Sequence, residues 1–317
     1  MIDAIQRLME HDTAGDPITG LKWTRKTTRK VCRELRTMGI DISRNTVARI
    51  LREFGFSLRV NRKELARKNC PGRDRQFRYI KSLREGFLAE RLPIVSVDTK
   101  KKELVGLFKN PGAVWARNPT LVNDHDFRSD AIGIAVPYGI FDASGNRGHL
   151  IVGTSHDTPA FAVDSLVDWW RTKGRFRYPD ADHLLILADN GGSNGSRCHA
   201  WKYNLQARFC DRFGLAVTVA HYPSGASKWN PIEHRLFSEI SKNWAGQPLE
   251  SFDTIVNYAR TTKTETGLSV TARLSTQTYA TGVRIAPEQM ASLNIHPHDS
   301  TTNWNYSIFP RSRNVRS

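Results

Sequence analysis

Apolar residues between positions 27 and 55 recur at the spacing of helix faces and predict two short helices. In the first helix, intervals of four and three residues place three apolar side chains on one face: Val31, Leu35 and Met38. Gly39 ends this helix, and Ser43 is a suitable N-cap for the next one. The apolar face of the second helix consists of Val47, Ile50, Leu51 and Phe54. Two short helices joined by a few residues with a glycine predict an all-α helix-turn-helix region.

The start of the second helix carries side chains suited to contacts with DNA. A recognition helix presents its N-terminal residues to the major groove, and Arg and Asn have the donor geometry that base edges require. The residues expected to contact bases are Arg44, Asn45, Thr46 and Arg49. The residues expected to contact phosphates are Arg25, Lys26, Arg29, Lys30, Arg62 and Lys63. A helical hairpin with a solvated basic face is the alternative.

From residue 93 onward, short apolar runs typical of strands alternate with helical patterns. The predicted strands are Ile94–Val97, Ile132–Phe141, His149–Thr154, His183–Ala188 and Leu215–His221. The predicted helices are Ala160–Lys173, Cys198–Phe213 and Ile232–Trp244. The predicted order is three strands, a helix, and then strand–helix–strand–helix. This is the element order of an RNase H-like α/β fold with a mixed sheet. Residues 99–131 are then an insertion after the first strand, with a hairpin as one option.

These patterns divide the chain into four parts. Residues 1–68 form the helix-turn-helix DNA-binding region, and residues 69–92 form a helical connector that begins with a Pro-Gly break. Residues 93–295 form the RNase H-like domain, and residues 296–317 form a basic C-terminal tail. Because the sequence has neither a run of about 18 apolar residues nor a secretory signal, we expect a cytoplasmic protein without a membrane partner.

The charge balance adds a polyanionic partner to this picture. The 317 residues include 47 Lys and Arg against 31 Asp and Glu, so the formal net charge is +16. Nucleic acid is the commonest partner of so basic a surface. A generically basic protein without a specific ligand is the alternative.

The four cysteines form no CxxC pair, which argues against a zinc site or a disulfide framework.

Three carboxylates stand at related positions of the predicted fold. Asp98 ends the first strand, Asp189 ends the fourth, and Glu233 opens the last helix. Neighbouring strand ends and an adjacent helix can bring them within a few ångströms of one another. Carboxylates plus substrate phosphate are the usual ligands of Mg²⁺, and two such ions can stabilise both oxygens of a phosphoryl displacement. We therefore predict a site for two Mg²⁺ ions, with Mn²⁺ as a substitute and Asp98 as the shared ligand. A strand-end aspartate alone is more often a cap or turn former, and Glu233 alone is explained as a helix-start acid favoured by the helix dipole.

Several neighbours of these acids are candidates for supporting roles. Asn190, Gly191 and Gly192 would let the backbone turn sharply and would give a phosphate close approach. The residues expected to orient ligands or contact DNA are Ser193, Asn194, Arg197, Lys100, Lys228 and Asn230. His234 could assist proton transfer, although a structural histidine is an equal alternative. Asp157 could approach the site after the third strand, but helix capping is the favoured interpretation for it.

Long motifs resemble a known family. In order along the chain they are "SVDTKKKELVGLFKNPG", "AVPYGIFD", "HDTPAFAVDSLVDWW", "LLILADNGGSNGSR" and "HYPSGASKWNPIEHRLFSEISKNW". They resemble the DDE transposases of bacterial insertion sequences, most closely the Rhodopirellula-type DDE transposase family. The resemblance extends from Trp23 to Ile295 and implies that Asp98, Asp189 and Glu233 match the catalytic triad of that family.

The resemblance also implies a reaction and its partners. The expected activity is metal-dependent hydrolysis at element ends, followed by attack of the freed 3′-OH on target DNA by a homo-oligomer. Family members usually carry a further N-terminal helical unit, so Met1 is expected to be an internal start or a truncation point. Two alternatives remain open: a truncated, non-catalytic DNA-binding derivative that acts as a repressor, and an RNase H-like nuclease without joining activity.

Overall fold

The computed structural model describes residues 2–15, 22–24, 27–56, 72–226 and 229–311. They fall into two compact units, which lie within Met1–Leu65 and Ala66–Ser317. The α-helices are α1 (Ile2–Asp12), α2 (Thr28–Thr37), α3 (Arg44–Glu53), α4 (Arg73–Ala89), α5 (Pro159–Trp169), α6 (Arg175–Arg177), α7 (His199–Asn204), α8 (Asp211–Phe213), α9 (Ser238–Asn243), α10 (Phe252–Arg260) and α11 (Pro287–Ala291). The strands are β1 (Thr13–Gly15), β2 (Lys22–Thr24), β3 (Ile94–Thr99), β4 (Glu103–Val105), β5 (Gly133–Asp142), β6 (Arg147–Gly153), β7 (His183–Ala188), β8 (Ala216–His221), β9 (Ser269–Ser275), β10 (Ile295–Pro297) and β11 (Asn305–Ile308).

The first unit contains the two predicted helices as α2 and α3. The Ser43 hydroxyl caps α3 by accepting the Thr46 N–H at 3.1 Å. The buried apolar side chains of the pair pack against Ile5 of α1: Val31, Leu35, Val47 and Ile50. Met38 was predicted on this apolar face but is 55% exposed, because it is the C-cap residue just before Gly39 turns the chain left-handed at φ 77°.

Two short strands make the prediction of an all-α first region wrong. β1 and β2 form an antiparallel pair in which Thr13 lies opposite Thr24. Three residues on each strand are too few to give a period-two signal in the sequence, and this pair of strands therefore went unpredicted.

The second unit is built on one mixed sheet, as the sequence predicts. Its strand order is β10–β11–β8–β7–β3–β5–β6–β9, with β4 beside β5. β3, β5 and β6 form an antiparallel meander, while β7 is parallel to β3 and β8 is parallel to β7. β9 is parallel to β6 at one end of the sheet, and β11 is antiparallel to β8 at the other.

Helices cover both faces of this sheet. One face packs against α5 and α7, with Ile140, Ile186 and Trp201 among the buried side chains. The opposite face packs against α9 and α10, with Leu150 and Ile240 in its core. Among the described residues, no helix combines the length and the apolar character needed to cross a membrane.

α4 occupies the predicted connector and is part of the second unit. Its side chains Ile80 and Phe87 are buried against Ile94, Leu185 and Leu187 of the sheet. The connector segment therefore contributes a core surface rather than a solvated linker.

The predicted helices are present, but each is interrupted or continued by a turn of π-helix. These turns span Trp170–Gly174 after α5, Leu205–Cys210 between α7 and α8, and Glu233–Phe237 before α9. The side-chain spacing of such a turn differs too little from that of an α-helix to be seen in the sequence.

Two parts of the predicted organisation are corrected. Residues 296–311 are no tail, because β11 pairs with β8 through contacts such as Tyr306 opposite Val219, and Arg311 binds Asp211 at 2.6 Å. The insertion after the first strand forms no hairpin of its own, since β4 pairs with β5 instead. The remainder of the predicted tail, residues 312–317, lies outside the described residues.

Candidate active site

Two of the three predicted acids lie at the same edge of the sheet. Asp98 is the fifth residue of β3, and Asp189 directly follows β7. These strands are parallel neighbours, with Val97 opposite Ala188, so their carboxyl ends meet. Parallel pairing is therefore what places the two carboxylates side by side.

The third acid reaches this edge on a helix that packs unusually close to the sheet. Glu233 begins the π-helical turn before α9, and Gly139 of β5 is the strand partner of Asp98. A Cβ atom added to Gly139 would lie 2.4 Å from the Phe237 ring and 2.9 Å from the Ile232 side chain. Only glycine at position 139 leaves room for the helix that carries Glu233.

A cavity of about 390 Å³ opens where these elements meet. Its lining residues are Asp98, Thr99, Asp157, Asp189, Asn190, Gly191, Gly192, Asn194, Pro223, Ser224 and Gly225. Glu233 does not line the cavity itself, but its charge acts on Asp98. The cavity is partly open to solvent.

The acids of this edge repel one another. Burial, the charge of Asp189 and the charges of Glu233 and Asp157 raise the pKa of Asp98 to about 7, although the Thr99 N–H opposes this by donating to its carboxylate at 2.7 Å. Burial and Asp189 also raise the pKa of Glu233. The site therefore holds more negative charge than its surroundings neutralise.

This donor set fits a divalent cation of the Mg²⁺ type. Carboxylate oxygens are the ligands that Mg²⁺ prefers, and a cation would relieve the repulsion that raises both pKa values. Within the part of the chain that the structure describes, no group of three His, Cys, Asp or Glu side chains is placed to hold a metal ion by itself. A complete cage is unnecessary, because Mg²⁺ keeps several waters and takes phosphate oxygens as further ligands.

Asn230 connects the elements that carry the acids. Its side-chain amide donates to Asp189 Oδ1 at 3.1 Å, and its Oδ1 accepts the hydroxyl of Ser96 on β3. The Ser96 oxygen in turn accepts the Ile232 N–H at 3.3 Å, and the Glu233 N–H donates to the Asn230 carbonyl at 3.1 Å. Asn230 is fully buried, so the phosphate contact predicted for it is corrected to a bond that orients Asp189.

The loop after Asp189 presents polar groups to the cavity. Asn190 accepts a hydrogen bond from the Ser196 hydroxyl, and Gly192 adopts a left-handed conformation at φ 70°. Asn194 is 1% exposed and lines the cavity, yet its Nδ2 has no hydrogen-bond partner among the residues that the structure describes. The buried Ser193 hydroxyl also has none among them. A buried donor without a partner is costly, which makes the Asn194 amide a candidate for a ligand contact.

Three predicted supporting residues are placed differently from the expectation. Lys100 is 7% exposed, binds Glu103 at 2.5 Å and lies 4.5 Å from the centre of the Trp244 ring, so a phosphate contact is wrong for it. Its charge instead counteracts the raised pKa of Glu233, as does that of the exposed His234. Arg197 is exposed and precedes α7, which begins at His199 rather than at the predicted Cys198.

Asp157 is the residue that sequence reasoning misjudged. The N-cap of α5 is Thr158, whose hydroxyl accepts the Phe161 N–H at 3.2 Å. Asp157 itself lines the cavity and accepts a hydrogen bond from the Thr99 hydroxyl at 3.1 Å. Its position after a strand that runs parallel to β3 was the available signal, because such strands end at the same edge.

The predicted base-reading residues lie at the start of α3 in the first unit. Arg44, Asn45 and Arg49 are exposed, and Arg49 pairs with Glu53 at 3.1 Å. The Thr46 hydroxyl is already hydrogen-bonded to Ser43 at 2.9 Å. Five predicted DNA contacts lie outside the described residues: Arg25, Lys26, Arg62, Lys63 and Lys228.

Comparisons with known proteins give a family. Solved structures of the Mos1 transposase show limited similarity: its paired-end complex with the left transposon end matches with a TM-score of 0.45 at 18% identity, over 81% of this chain and 69% of that chain. The Mos1 strand transfer complex matches with a TM-score of 0.43 at 19% identity, over 81% and 68% of the two chains. No curated protein sequence matches significantly. The family model described as "Rhodopirellula transposase DDE domain" matches residues 4–310, nearly the whole chain. The chain therefore belongs to this family of DDE transposases, which are polynucleotidyl transferases.

Proposed function

We propose that this protein cleaves DNA at the ends of a mobile element in a metal-dependent reaction and joins the freed 3′-OH to target DNA. The observation that carries the proposal is the convergence of Asp98, Asp189 and Glu233 at one edge of an RNase H-like sheet. Bound cations would relieve the repulsion between these three carboxylates. The net charge of +16 supports a polyanionic substrate.

Asp98, Asp189 and Glu233 would hold two Mg²⁺ or Mn²⁺ ions, with Asp98 shared between them. When bound, these ions would stabilise the attacking and leaving oxygens of the phosphoryl displacement. Asp157 is the third carboxylate that lines the cavity, beside Asp98 and Asp189, and a water ligand could be held through it.

The other side chains of the cavity orient and bind. Asn230 keeps the Asp189 carboxylate turned toward the cavity through its 3.1 Å hydrogen bond. The Asn194 amide, which has no hydrogen-bond partner among the described residues, would donate to a non-bridging oxygen of the scissile phosphate. The glycines at 191 and 192 keep side chains away from the path of the DNA backbone.

Recognition of element ends is assigned to the first unit. Arg44 and Asn45 project from the N-terminal turn of α3, the part of a recognition helix that meets base edges, and Arg49 projects from the turn that follows. Pairing of two element ends would require at least two copies of the chain, so a homo-oligomer on DNA is part of the proposal.

The test uses a labelled duplex that carries the element end, with Mg²⁺ or EDTA. We expect nicking that requires Mg²⁺ and is lost in Asp98→Asn, while Asp124→Asn, a matched change at a carboxylate that is 93% exposed, retains it. Strand-joining products would distinguish the transposase from a nuclease without joining activity. Binding without any cleavage would contradict the catalytic proposal and would favour the DNA-binding repressor.

A further inference from the structure

A second cleft, of about 490 Å³, opens at the edge of the sheet opposite to Asp98. It lies where β6 and β9 begin, with Arg147 and Ser269 as their first residues and strand partners. β6 is antiparallel to β5, which is antiparallel to β3, so β6 runs parallel to β3. The start of β6 therefore lies away from the end of β3, where the carboxylates meet.

The floor of this cleft is a polar patch on a face that is otherwise apolar. On β6, Ile151 belongs to the core between the sheet and helices α5 and α7, whereas Leu150 belongs to the core on the opposite face of the sheet. Alternation then places Arg147 and His149 on the α5 face, together with their β9 partners Ser269 and Thr271. Under a helix-covered sheet this row would ordinarily be apolar, so its polarity is a departure that packing does not require.

Hydrogen bonds hold this patch in one arrangement. His149 is 2% exposed, and its two ring nitrogens lie 2.7 Å from the Thr271 hydroxyl and 3.0 Å from Asp168. The Arg147 guanidinium donates to the Ser269 hydroxyl at 2.7 Å. The Arg147 guanidinium is therefore held in position by Ser269, and the Thr271 hydroxyl is held in position by His149.

The wall of the cleft is strongly basic. The stretch "RTKGRFR", residues 171–177, continues α5 along this wall with four cations and no acid. Asp142 neutralises Arg177 at 2.6 Å, but among the described residues neither Arg147 nor Lys173 has a carboxylate partner within 4.0 Å. None of the residues that line the cleft is acidic, and Phe176 stands 68% exposed at its side with the Arg175 guanidinium 4.7 Å from its ring centre.

We propose that this cleft binds the phosphate backbone of duplex DNA, as a second contact remote from the catalytic acids. Exposed Arg and Lys side chains beside fixed Ser and Thr hydroxyls are the groups that contact backbone phosphates in protein–DNA complexes. A segment held here is flanking DNA rather than the strand being cleaved, because the two sites lie at opposite edges of the sheet. The proposal rests on the proposed DNA substrate and adds a binding surface to it.

Binding of a duplex in EDTA, measured as a function of salt, tests this proposal without any chemistry. Each lost phosphate contact lowers the slope of log K against log salt by about 0.9, so Lys173→Ala should lower it by about 0.9 and Arg147→Ala with Lys173→Ala by about 1.8. Lys242→Ala removes the same charge from α9 on the opposite face, where Lys242 is 71% exposed, and should leave the slope unchanged. Equal slopes for the Lys173 and Lys242 variants would overturn the proposal.

A second measurement locates the contact on the unaltered protein. Acetylation of surface lysines, followed by mass spectrometry, should show Lys173 protected by duplex DNA and Lys242 unprotected. Equal reactivity of Lys173 with and without DNA would overturn the site.

A cleavage assay with Mg²⁺ distinguishes failure of this proposal from failure of the catalytic proposal. Cleavage with an unchanged salt slope contradicts only the second site, whereas a lowered slope without cleavage contradicts only the catalytic function.

Discussion

The two edges of the sheet carry opposite charges. Where β3 and β7 end, Asp98, Asp157 and Asp189 line a cavity, and burial together with the repulsion between these acids raises the pKa of Asp98 to about 7. Where β6 and β9 begin, Arg147 and Lys173 stand in a cleft without acidic lining residues. Among the described residues, the lining of the cavity includes carboxylates and no cation, and the lining of the cleft includes cations and no carboxylate. The same DNA can therefore supply phosphates to metal ions at one edge and to cations at the other.

The edges also differ in burial, and this difference predicts how each responds to substitution. The acids are partly buried and coupled to one another, so the loss of one should remove function entirely. The cations are exposed, where single charges contribute little and salt screens them. Substitutions at the basic edge should therefore weaken binding by degrees, and the following experiments are arranged from the largest expected effect to the smallest.

Asp189→Asn should have the largest effect. It keeps the volume of the side chain and an acceptor for Asn230, so the protein should fold, but it removes a metal ligand. Metal ions contribute several kcal/mol to such a transition state, and about 1.4 kcal/mol is a factor of ten, so the cleavage rate should fall by about 10³-fold or more. Lys173→Ala should retain cleavage at low salt. Comparable losses of rate in both variants would break the distinction between the two edges.

Gly139→Ala should disturb the acidic edge through packing alone. The added Cβ meets Phe237 at 2.4 Å, so the helix that carries Glu233 must shift, at a cost of about 1–3 kcal/mol in the free energy of unfolding and with loss of cleavage. Gly86→Ala on α4 is the matched change, because no atom lies within 4 Å of its added Cβ. We expect it to stabilise the protein by about 0.5–1 kcal/mol. Urea unfolding measures both variants, and equal stabilities would contradict the close approach.

Asn230→Ala should loosen the acidic edge without changing its charge. Loss of a residue that orients a metal ligand typically weakens metal binding by about 10–100-fold, which Mn²⁺ titration followed by electron paramagnetic resonance would measure. Asn204→Ala is the matched variant, since Asn204 is also buried and donates to the Ala200 carbonyl at 2.7 Å, on α7. It should lose stability but retain Mn²⁺ affinity. An equal loss of affinity in both variants would show that Asn230 has only a structural role.

Asp168→Asn should give the smallest effect, and one that depends on pH. Burial by itself would raise the pKa of Asp168, but the hydrogen bond and charge of His149 and the charges of Arg273 and Arg171 lower it below its usual value. A lowered pKa in the folded state contributes stability above the pKa of the unfolded chain, and this stability is lost as pH falls through the folded value. The variant should therefore be less stable at pH 7, by about 1 kcal/mol or less, and equal to the unaltered protein near pH 2. Thermal unfolding at both pH values measures the difference, and a deficit that persists at pH 2 would contradict the ionic contribution.

The parts of the site that the sequence predicted are those with a local signal. β7 has the predicted bounds His183–Ala188, because an uninterrupted apolar run ends at a single acid. The same signal marked Asp98, although β3 continues one residue beyond it. Ser43 was recognisable as an N-cap since its role depends only on residues three positions away.

Residues whose roles depend on distant partners were misplaced. Lys100 looked like an exposed basic residue in a run of lysines, but Trp244, far along the chain, covers it. Asn230 looked like a loop residue, and only the approach of Ser96 and Asp189 makes it a buried link between the acids. The edge strand β9 and the neighbouring strand pair of β10 and β11 at the other side of the sheet escaped prediction, because their pairing partners, not their own composition, hold them in the sheet.

The sequence by itself determined the alternation of strands and helices, the acids at strand ends and the excess of positive charge, because each of these is encoded in neighbouring residues. The tertiary structure decided which acids meet, that Asp157 joins them, and that cations collect at the opposite edge. These outcomes depend on strand order and direction, since parallel pairing aligns residues that lie tens of positions apart in the chain. The physical reason is that charge repulsion, burial and close helix packing act over distances in space, which the order of residues does not reveal.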